Sequence, residues 1–485
     1  MPRSDIRFWY QGQILSLTDQ PPQRTLLQWL RETRGACGSK EGCGEGDCGA
    51  CTVVVGALDT QAPGGLRLQA INSCIALLPT IDGKALFTIE DLSQGDALHP
   101  VQQALVDLHG SQCGFCTPGF AMSLWADYEE RERCPTRQEA EQVLSGNLCR
   151  CTGYRPILDA AQRCRDYPPQ RINRAPVRAA LEIIAAQEPL DFDHAGQRFF
   201  APRTLEELAE LRQNWPQARI LAGGTDIGLW VTKQLRDLGD IIYIGALPEL
   251  QRTEMDEHWL SLGAGMSLSA AFSTLCTDDA NWQELADRFA SLPVRNAGTL
   301  GGNVANGSPI GDSMPALIAL GSRIVLQKGR RVRELALEDF YLGYQSTALE
   351  AGEFVRALRV PRADAKRIFR SWKVSKRQDQ DISAVCAGFV LKLGDAGLIS
   401  EVRLAFGGMA ATPRRAAAAE AALLGQPLVL RSIEAAMDAL ALDFQPIDDM
   451  RASASYRMQV ARNLLRRLWL EQSQPHLLRI EALTA

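Results

Sequence analysis

Nowhere in this sequence do 18 apolar residues run together, and its first residues, MPRSDIRFWYQGQILSL, hold no charged leader followed by an apolar core. These absences argue against a membrane-spanning helix and a secretory leader, so a cytoplasmic setting is expected. No long block of one charge is present either. With 52 basic and 57 acidic residues the net charge is −5, which suits neither a nucleic-acid groove nor an anionic membrane surface. Internal repeats and low-complexity tracts are missing, and histidine is scarce, with five in the chain. Cysteine is not scarce. In a reducing compartment 13 cysteines point to metal or redox chemistry rather than a disulfide framework, and ten of them precede residue 152. At 485 residues, 46% hydrophobic and 22% charged, the chain has the length and composition for three or four globular domains.

Pattern divides the chain. IRFWYQGQILSL reads as two short strands turning at Gln11 and Gly12, RTLLQWLRETRG as a helix stopped by Gly35, and CTVVVGAL, LRLQAINSC and KALFTIE as further strands. Residues 1–91 are therefore expected to form a small β-rich domain. After His99 the pattern turns helical over PVQQALVDLHG, PGFAMSLWADYEERER, TRQEAEQVLSG and RPILDAAQRC, with a capping box at Thr136 and Glu139 and first-turn prolines at Pro118 and Pro156. That gives a bundle of about four helices over 92–166. A linker is expected over 167–194, an α/β domain over 195–375 and a C-terminal α+β domain over 376–485.

The stretch GCGEGDCGACT, residues 42–52, places three cysteines and four glycines on eleven positions. Cys43, Cys48 and Cys51 are spaced C-x4-C-x2-C and Cys74 follows in INSCIAL, the plant-type ferredoxin arrangement for a 2Fe-2S cluster. A loop wrapped round such a cluster must turn several amides toward sulfur, and glycine supplies the dihedrals for that. Zinc prefers paired knuckles or histidines, and no histidine lies beside this loop. A second set, Cys113 and Cys116 in QCGFCTPG with Cys149 and Cys151 in CRCTGYRP, precedes two expected helix starts, where thiolates are favoured. By spacing alone this second set suits zinc as well as iron and sulfur. Cys37, Cys134, Cys164, Cys276 and Cys386 have no partner at useful spacing.

Together, GCGEGDCGACTV, QCGFCTPG and GNLCRCTGYRPI resemble the iron-sulfur portion of the molybdenum hydroxylases, the xanthine dehydrogenase and aldehyde oxidase family. The resemblance implies a multidomain α+β protein. Cys43, Cys48, Cys51 and Cys74 would hold one 2Fe-2S cluster in a β-grasp ferredoxin-like domain. Cys113, Cys116, Cys149 and Cys151 would hold a second in a four-helix domain. Asp47 stands where many members have glycine, and a carboxylate there is expected to lower the potential of the nearby cluster.

Downstream, ILAGGTDIG (220–228) and NAGTLGGNVANGSPIGDSMP (296–315) put glycine turns after strand-like runs. Neither run has the G-x-G-x-x-G spacing, so taken alone they fit a pyrophosphate cradle or ordinary tight turns. The same resemblance matches them to FAD-binding segments. It implies contacts from Leu221, Ala222, Gly223, Gly224, Thr225, Asp226 and Ile227, then Thr299, Gly302, Asn303 and Asp312, with Phe289 against the flavin and further contacts at Val355 and Lys373. Lys376, Arg377, Asp379 and Asp381 fit either an NAD-docking face or a solvated loop.

The function implied is that of an iron-sulfur/flavin subunit of a xanthine dehydrogenase in a hetero-oligomer. Electrons from purine hydroxylation would come from a molybdenum cofactor on a large partner subunit, pass through two 2Fe-2S clusters to FAD, and reach NAD. No residue of this chain is expected to be catalytic toward the purine. Other readings are an aldehyde oxidase, another N-heterocycle hydroxylase, and a stand-alone electron carrier.

Overall fold

The structure, a computed structural model, describes residues 2–93, 95 and 97–473. Its described residues form two units. The first takes the chain up to Glu249 together with Ser267–Ser269 and Ala290–Thr299, and the second holds Leu250–Met266, Ala270–Phe289 and the described chain from Leu300 onward.

In the first unit, Ile6–Tyr10 and Gln13–Leu17 pair antiparallel around Gln11 and Gly12, both at positive φ (48° and 83°). Ile6–Tyr10 also runs parallel to Ala85–Phe87, which is joined in turn by Thr52–Leu58 and Leu66–Asn72. A short helix, Leu26–Gln28, continues as a wider turn over Trp29–Thr33, and Gly35 (φ 66°) follows. Trp29 anchors it to the sheet, its ring meeting those of Phe8 and Tyr10 edge-on at 5.3 and 5.8 Å. This mixed sheet with its crossing helix is the expected β-grasp.

Four helices follow at Pro100–Asp107, Thr117–Glu130, Arg137–Val143 and Arg155–Arg163. The Thr136/Glu139 capping box is formed. The segment expected as a linker contains a helix, Arg174–Ala185, capped by the Asn173 side chain. Its Val177, Leu181 and Ile184 are buried with Trp125, Leu66 and Phe87, so the helix covers a sheet face that would otherwise meet water. A second sheet runs Leu190–His194, Gln197–Ala201, Ile241–Tyr243, Arg219–Leu221, with its last three strands parallel. Phe199, Leu221 and Tyr243 of this sheet share one core with Ile6, Phe8 and Trp29.

Beside a two-stranded ribbon, Tyr341–Gly343 with Ser346–Thr347, the described residues of the second unit form two larger antiparallel sheets. One orders Thr253–Met255, Trp259–Gly263, Phe354–Pro361, Arg323–Lys328 and Arg331–Ala336, and the other Arg367–Val374, Val385–Leu393, Ile399–Gly407 and Arg414–Arg415. Helix Ser313–Leu320 is buried along its whole length. It lies so close to strand Val385–Leu393 that a Cβ on Gly388 would stand 2.5 Å from the Pro315 carbonyl oxygen. Helices Leu430–Asp443 and Ala454–Ser473 cover the second sheet through Ile433, Leu440, Leu464 and Leu468.

Candidate cofactor sites

The cysteine loop follows the dihedral demands read from its glycines. Gly44, Gly46 and Gly49 all have positive φ (65°, 77° and 69°), and the turns they permit aim the amides of Glu45, Asp47 and Cys48 at Cys43 Sγ, each 3.4 Å away. Cys51 and Cys74, both buried, bring their sulfurs to 3.3 Å. Cys43 meets the thiols of Cys48 and Cys74, and these contacts outweigh burial and hold it far below the usual thiol range. The Cys74 thiol does the same for Cys51. Charged sulfur surrounded by inward amides is the environment that a bound 2Fe-2S cluster requires.

The second set gathers in the helical region. Cys116 is the N-cap of Thr117–Glu130. Cys149 is buried, which alone would push its thiol up, but the Thr152 hydroxyl and amide, 3.2 and 3.5 Å from Sγ, keep it below the ordinary range. Its own amide donates to Tyr154 Oη at 3.1 Å. Burial, and then Cys149, push Cys116 up to about 12. Cys113 and Cys151 are exposed and meet each other. The thiols contact one another two by two, as Cys113 with Cys151 and Cys116 with Cys149, a pairing that suits a two-iron cluster with two thiolates on each iron. Thr152, Tyr154 and Lys233 were not singled out from sequence. The first two lie inside CRCTGYRP, while Lys233, whose Nζ donates to the Cys43 carbonyl, lies 190 residues from its partner.

The FAD candidates divide between the units. In the first, strand Arg219–Leu221 ends in Ala222, Gly223 and Gly224 (φ 72°), and Thr225 and Asp226 lead into helix Ile227–Thr232. A Cβ on Gly223 would stand 1.9 Å from the Ala297 carbonyl oxygen, so only glycine fits there. Asp226 is raised by burial. A cavity lined by Asn72, Ile75, Gly223, Thr225, Pro293 and Ala297 adjoins this turn. Thr299, also in this unit, forms an isolated bridge with Ser267.

In the second unit, Lys373 Nζ lies 2.8 Å from Asp312 Oδ2, both residues being buried, and the Ser383 hydroxyl donates to the same carboxylate. Next to Asp312, the Ser313 hydroxyl donates to Asn303 Oδ1 at 2.6 Å. Asn303 is thus tied to the Asp312–Lys373 pair through the backbone that joins Asp312 to Ser313. Gly302 lies exposed on helix Leu300–Asn306. Val355 pairs with Leu326 at the bulge between strands Arg323–Lys328 and Phe354–Pro361. Phe289 is buried, its ring 4.9 Å from that of Phe272. In the exposed loop beyond Lys373, the Arg377 amide donates to Asp381 at 2.9 Å and Lys376 to the Met450 carbonyl at 3.1 Å.

Comparison with known proteins agrees with these features. Residues 10–78 match the 2Fe-2S iron-sulfur cluster binding domain, and 88–162 match the [2Fe-2S] binding domain. Residues 192–363 match the FAD binding domain in molybdopterin dehydrogenase, and 370–472 match the CO dehydrogenase flavoprotein C-terminal domain. The fold and sites thus define an iron-sulfur flavoprotein with two 2Fe-2S domains and one FAD-binding domain.

The chain belongs to the molybdenum hydroxylase family of oxidoreductases, as its iron-sulfur/FAD portion. It is 33% identical to xanthine dehydrogenase of Emericella nidulans, over 90% of this chain and 36% of that protein. It is 30% identical to xanthine dehydrogenase 1 of Arabidopsis thaliana, over 84% of this chain and 35% of that one. The chain therefore spans little more than a third of the length of these curated relatives. A chain of the carbon monoxide dehydrogenase from Hydrogenophaga pseudoflava, whose structure lacks the Mo-pyranopterin moiety of the molybdenum cofactor, matches with a TM-score of 0.53 and 28% identity. That match covers 56% of this chain and 94% of that one. No described helix is long and apolar enough to cross a membrane.

Proposed function

We propose that this chain is the electron-relay part of a xanthine dehydrogenase, working with a partner that carries the molybdenum cofactor and hydroxylates a purine. One observation carries the reading. The carbonyl of Ile75, next to Cys74, lies 2.4 Å from where a Cβ on Gly228 would stand, so the loop bearing a cluster ligand is seated directly against the glycine turn of the FAD candidates. Similarity to two xanthine dehydrogenases along most of the chain favours a purine over an aldehyde or another N-heterocycle.

In this proposal Cys43, Cys48, Cys51 and Cys74 hold one cluster and Cys113, Cys116, Cys149 and Cys151 the other. Leu221–Ile227, Phe289, Thr299, Gly302, Asn303, Asp312, Val355 and Lys373 hold FAD, within domain limits of 1–91, 92–166, 195–375 and 376–485. When bound, the clusters carry single electrons, and the flavin collects two and passes a hydride to NAD. The residues of this chain do the rest. Inward amides at Cys43 and the Thr152 donors at Cys149 stabilise charged sulfur, and burial of Cys51 and Cys74 excludes water. The loop around Lys376, Arg377, Asp379 and Asp381 serves as the NAD face, and the setting is cytoplasmic.

The test is to isolate the chain from its native cells with whatever accompanies it, measure iron, flavin and molybdenum, and assay xanthine-driven NAD reduction. Four irons and one flavin per chain with that activity are expected. NADH should also bleach the bound flavin; a flavin that NADH leaves unbleached, in a chain that brings no molybdenum-containing partner with it, would support a stand-alone carrier, and reduction driven only by aldehydes would move the substrate.

A further inference from the structure

Both cysteine sites lie in the first unit, and their backbones touch along one seam. The Leu148 amide donates to the Cys48 carbonyl at 3.0 Å. Cys48 belongs to one proposed ligand set, and Leu148 immediately precedes Cys149 of the other. From Cys48 Sγ to Cys149 Sγ, this hydrogen bond is then the single step that is not covalent.

The seam leaves no room for side chains at its centre. A Cβ on Gly49 would stand 2.1 Å from the Gly146 carbonyl oxygen, and one on Gly119 would stand 2.1 Å from the Gly49 carbonyl oxygen. Asn147 pins the three segments. Only 2% exposed, it donates from Nδ2 to the Gly49 carbonyl (3.2 Å) and Thr52 Oγ1 (3.3 Å), while its Oδ1 accepts from Ser123 Oγ (2.7 Å). Ser123 lies on the helix that begins directly after Cys116. Every segment held by this carboxamide therefore carries a cluster cysteine, and a buried network whose members are all satisfied has one geometry.

We propose that Asn147 is a positioning residue for electron exchange between the two cysteine sites, holding the Cys48–Leu148 hydrogen bond that couples them. The inference rests on the iron-sulfur reading above. The step is a one-electron exchange in which one cluster is oxidised and the other reduced, and no bond forms or breaks. A rival route passes over the Phe115 ring, whose Cε1 lies 3.5 Å from where a Cβ on Gly42 would stand, and it requires a jump across a van der Waals gap.

The experiment uses the full iron-loaded chain as wild type, Asn147→Leu, Ser123→Ala and Phe115→Leu. Iron content, magnetic coupling between the clusters after dithionite reduction, and the rate of electron equilibration after a rapid photochemical pulse are measured. Asn147→Leu should keep four irons yet show weaker coupling and several-fold slower equilibration. Ser123→Ala should shift both in the same direction by less, and Phe115→Leu should match wild type. Unchanged coupling and rate in Asn147→Leu, with only a lower thermal midpoint, would overturn the proposal, as would slowing confined to Phe115→Leu. If Asn147→Leu does not hold its irons, Ser123→Ala decides, and wild-type values there refute the idea. Wild-type protein with fewer than four irons would overturn the iron-sulfur reading itself, a failure distinct from that of Asn147.

Discussion

Acidification should weaken the helical domain through one residue, His99. Its imidazole is 2% exposed and caps helix Pro100–Asp107, with Nδ1 accepting from the Val101 amide at 3.2 Å and Nε2 meeting the Gln170 carbonyl at 3.0 Å. The ring also meets Tyr128 edge-on at 4.9 Å, and Tyr128 already has the Arg165 guanidinium 4.1 Å from its centroid and that of Arg171 at 5.7 Å. Burial lowers the His99 pKa from 6.5 to about 4, against the Gln170 contact, which acts to raise it.

Because the folded value is the lower one, the unfolded chain binds more protons between pH 4 and 6.5, so stability is complete above the unfolded value and falls as acid is added. Linkage gives a loss of roughly 2 kcal/mol between pH 8 and pH 5, approaching about 3 kcal/mol near pH 4. His99→Asn keeps a capping oxygen and cannot titrate; it should cost about 1 kcal/mol at pH 8, where the Gln170 carbonyl loses its donor. The check is denaturant unfolding of both proteins at pH 8 and pH 5, followed by far-UV circular dichroism, with a titration of the His99 ring by NMR. Equal acid losses in the two proteins, or a ring that titrates above pH 6, would refute the reasoning.

Three further outcomes follow from contacts in the structure. Gly223→Ala drives a Cβ into the Ala297 backbone, 1.9 Å from its oxygen, and should destabilise by about 3 kcal/mol or more and lower bound flavin per chain, read from absorbance and thermal melting. Lys373→Met strands the buried Asp312 carboxylate and should cost about 3–5 kcal/mol in urea unfolding, most of it recovered when Asp312→Asn is added. Asp47→Gly retains the amide that points at Cys43 Sγ and removes the side-chain carboxylate, so the potential of the nearby cluster should rise in a redox titration, and a fixed potential would count against the electrostatic account.

Local chemistry was legible in the sequence and distant chemistry was not. The positive-φ glycines at 44, 46 and 49, the Thr136 capping box and the Gln11–Gly12 hairpin depend on residues within a few positions of each other, and periodicity and spacing reveal them. Asn147 reads as an ordinary loop asparagine in SGNLC, because its partners Gly49, Thr52 and Ser123 lie 98, 95 and 24 residues away. Asp312 and Lys373 were each singled out, but nothing in their neighbourhoods says that they bond to one another across 61 positions. The helix at 174–185 had a signal, apolar residues at 177, 180, 181 and 184, which the prolines and arginines before it obscured.

Arg457 has a consequence for the order of biosynthesis. Its guanidinium is buried on the last described helix, where it donates to the carbonyls of Ala384 and Gly408 and pairs with Asp449 at 2.7 Å. Gly408, at φ 79°, brings its Cα so near Ala384 that a Cβ would lie 2.3 Å from the Ala384 oxygen. The two ends of the central hairpin of that sheet are therefore tied by a side chain translated about fifty residues later. A nascent chain must keep this corner untied until the ribosome has passed position 457, and during that interval the sheet is most exposed to chaperones and to mispairing.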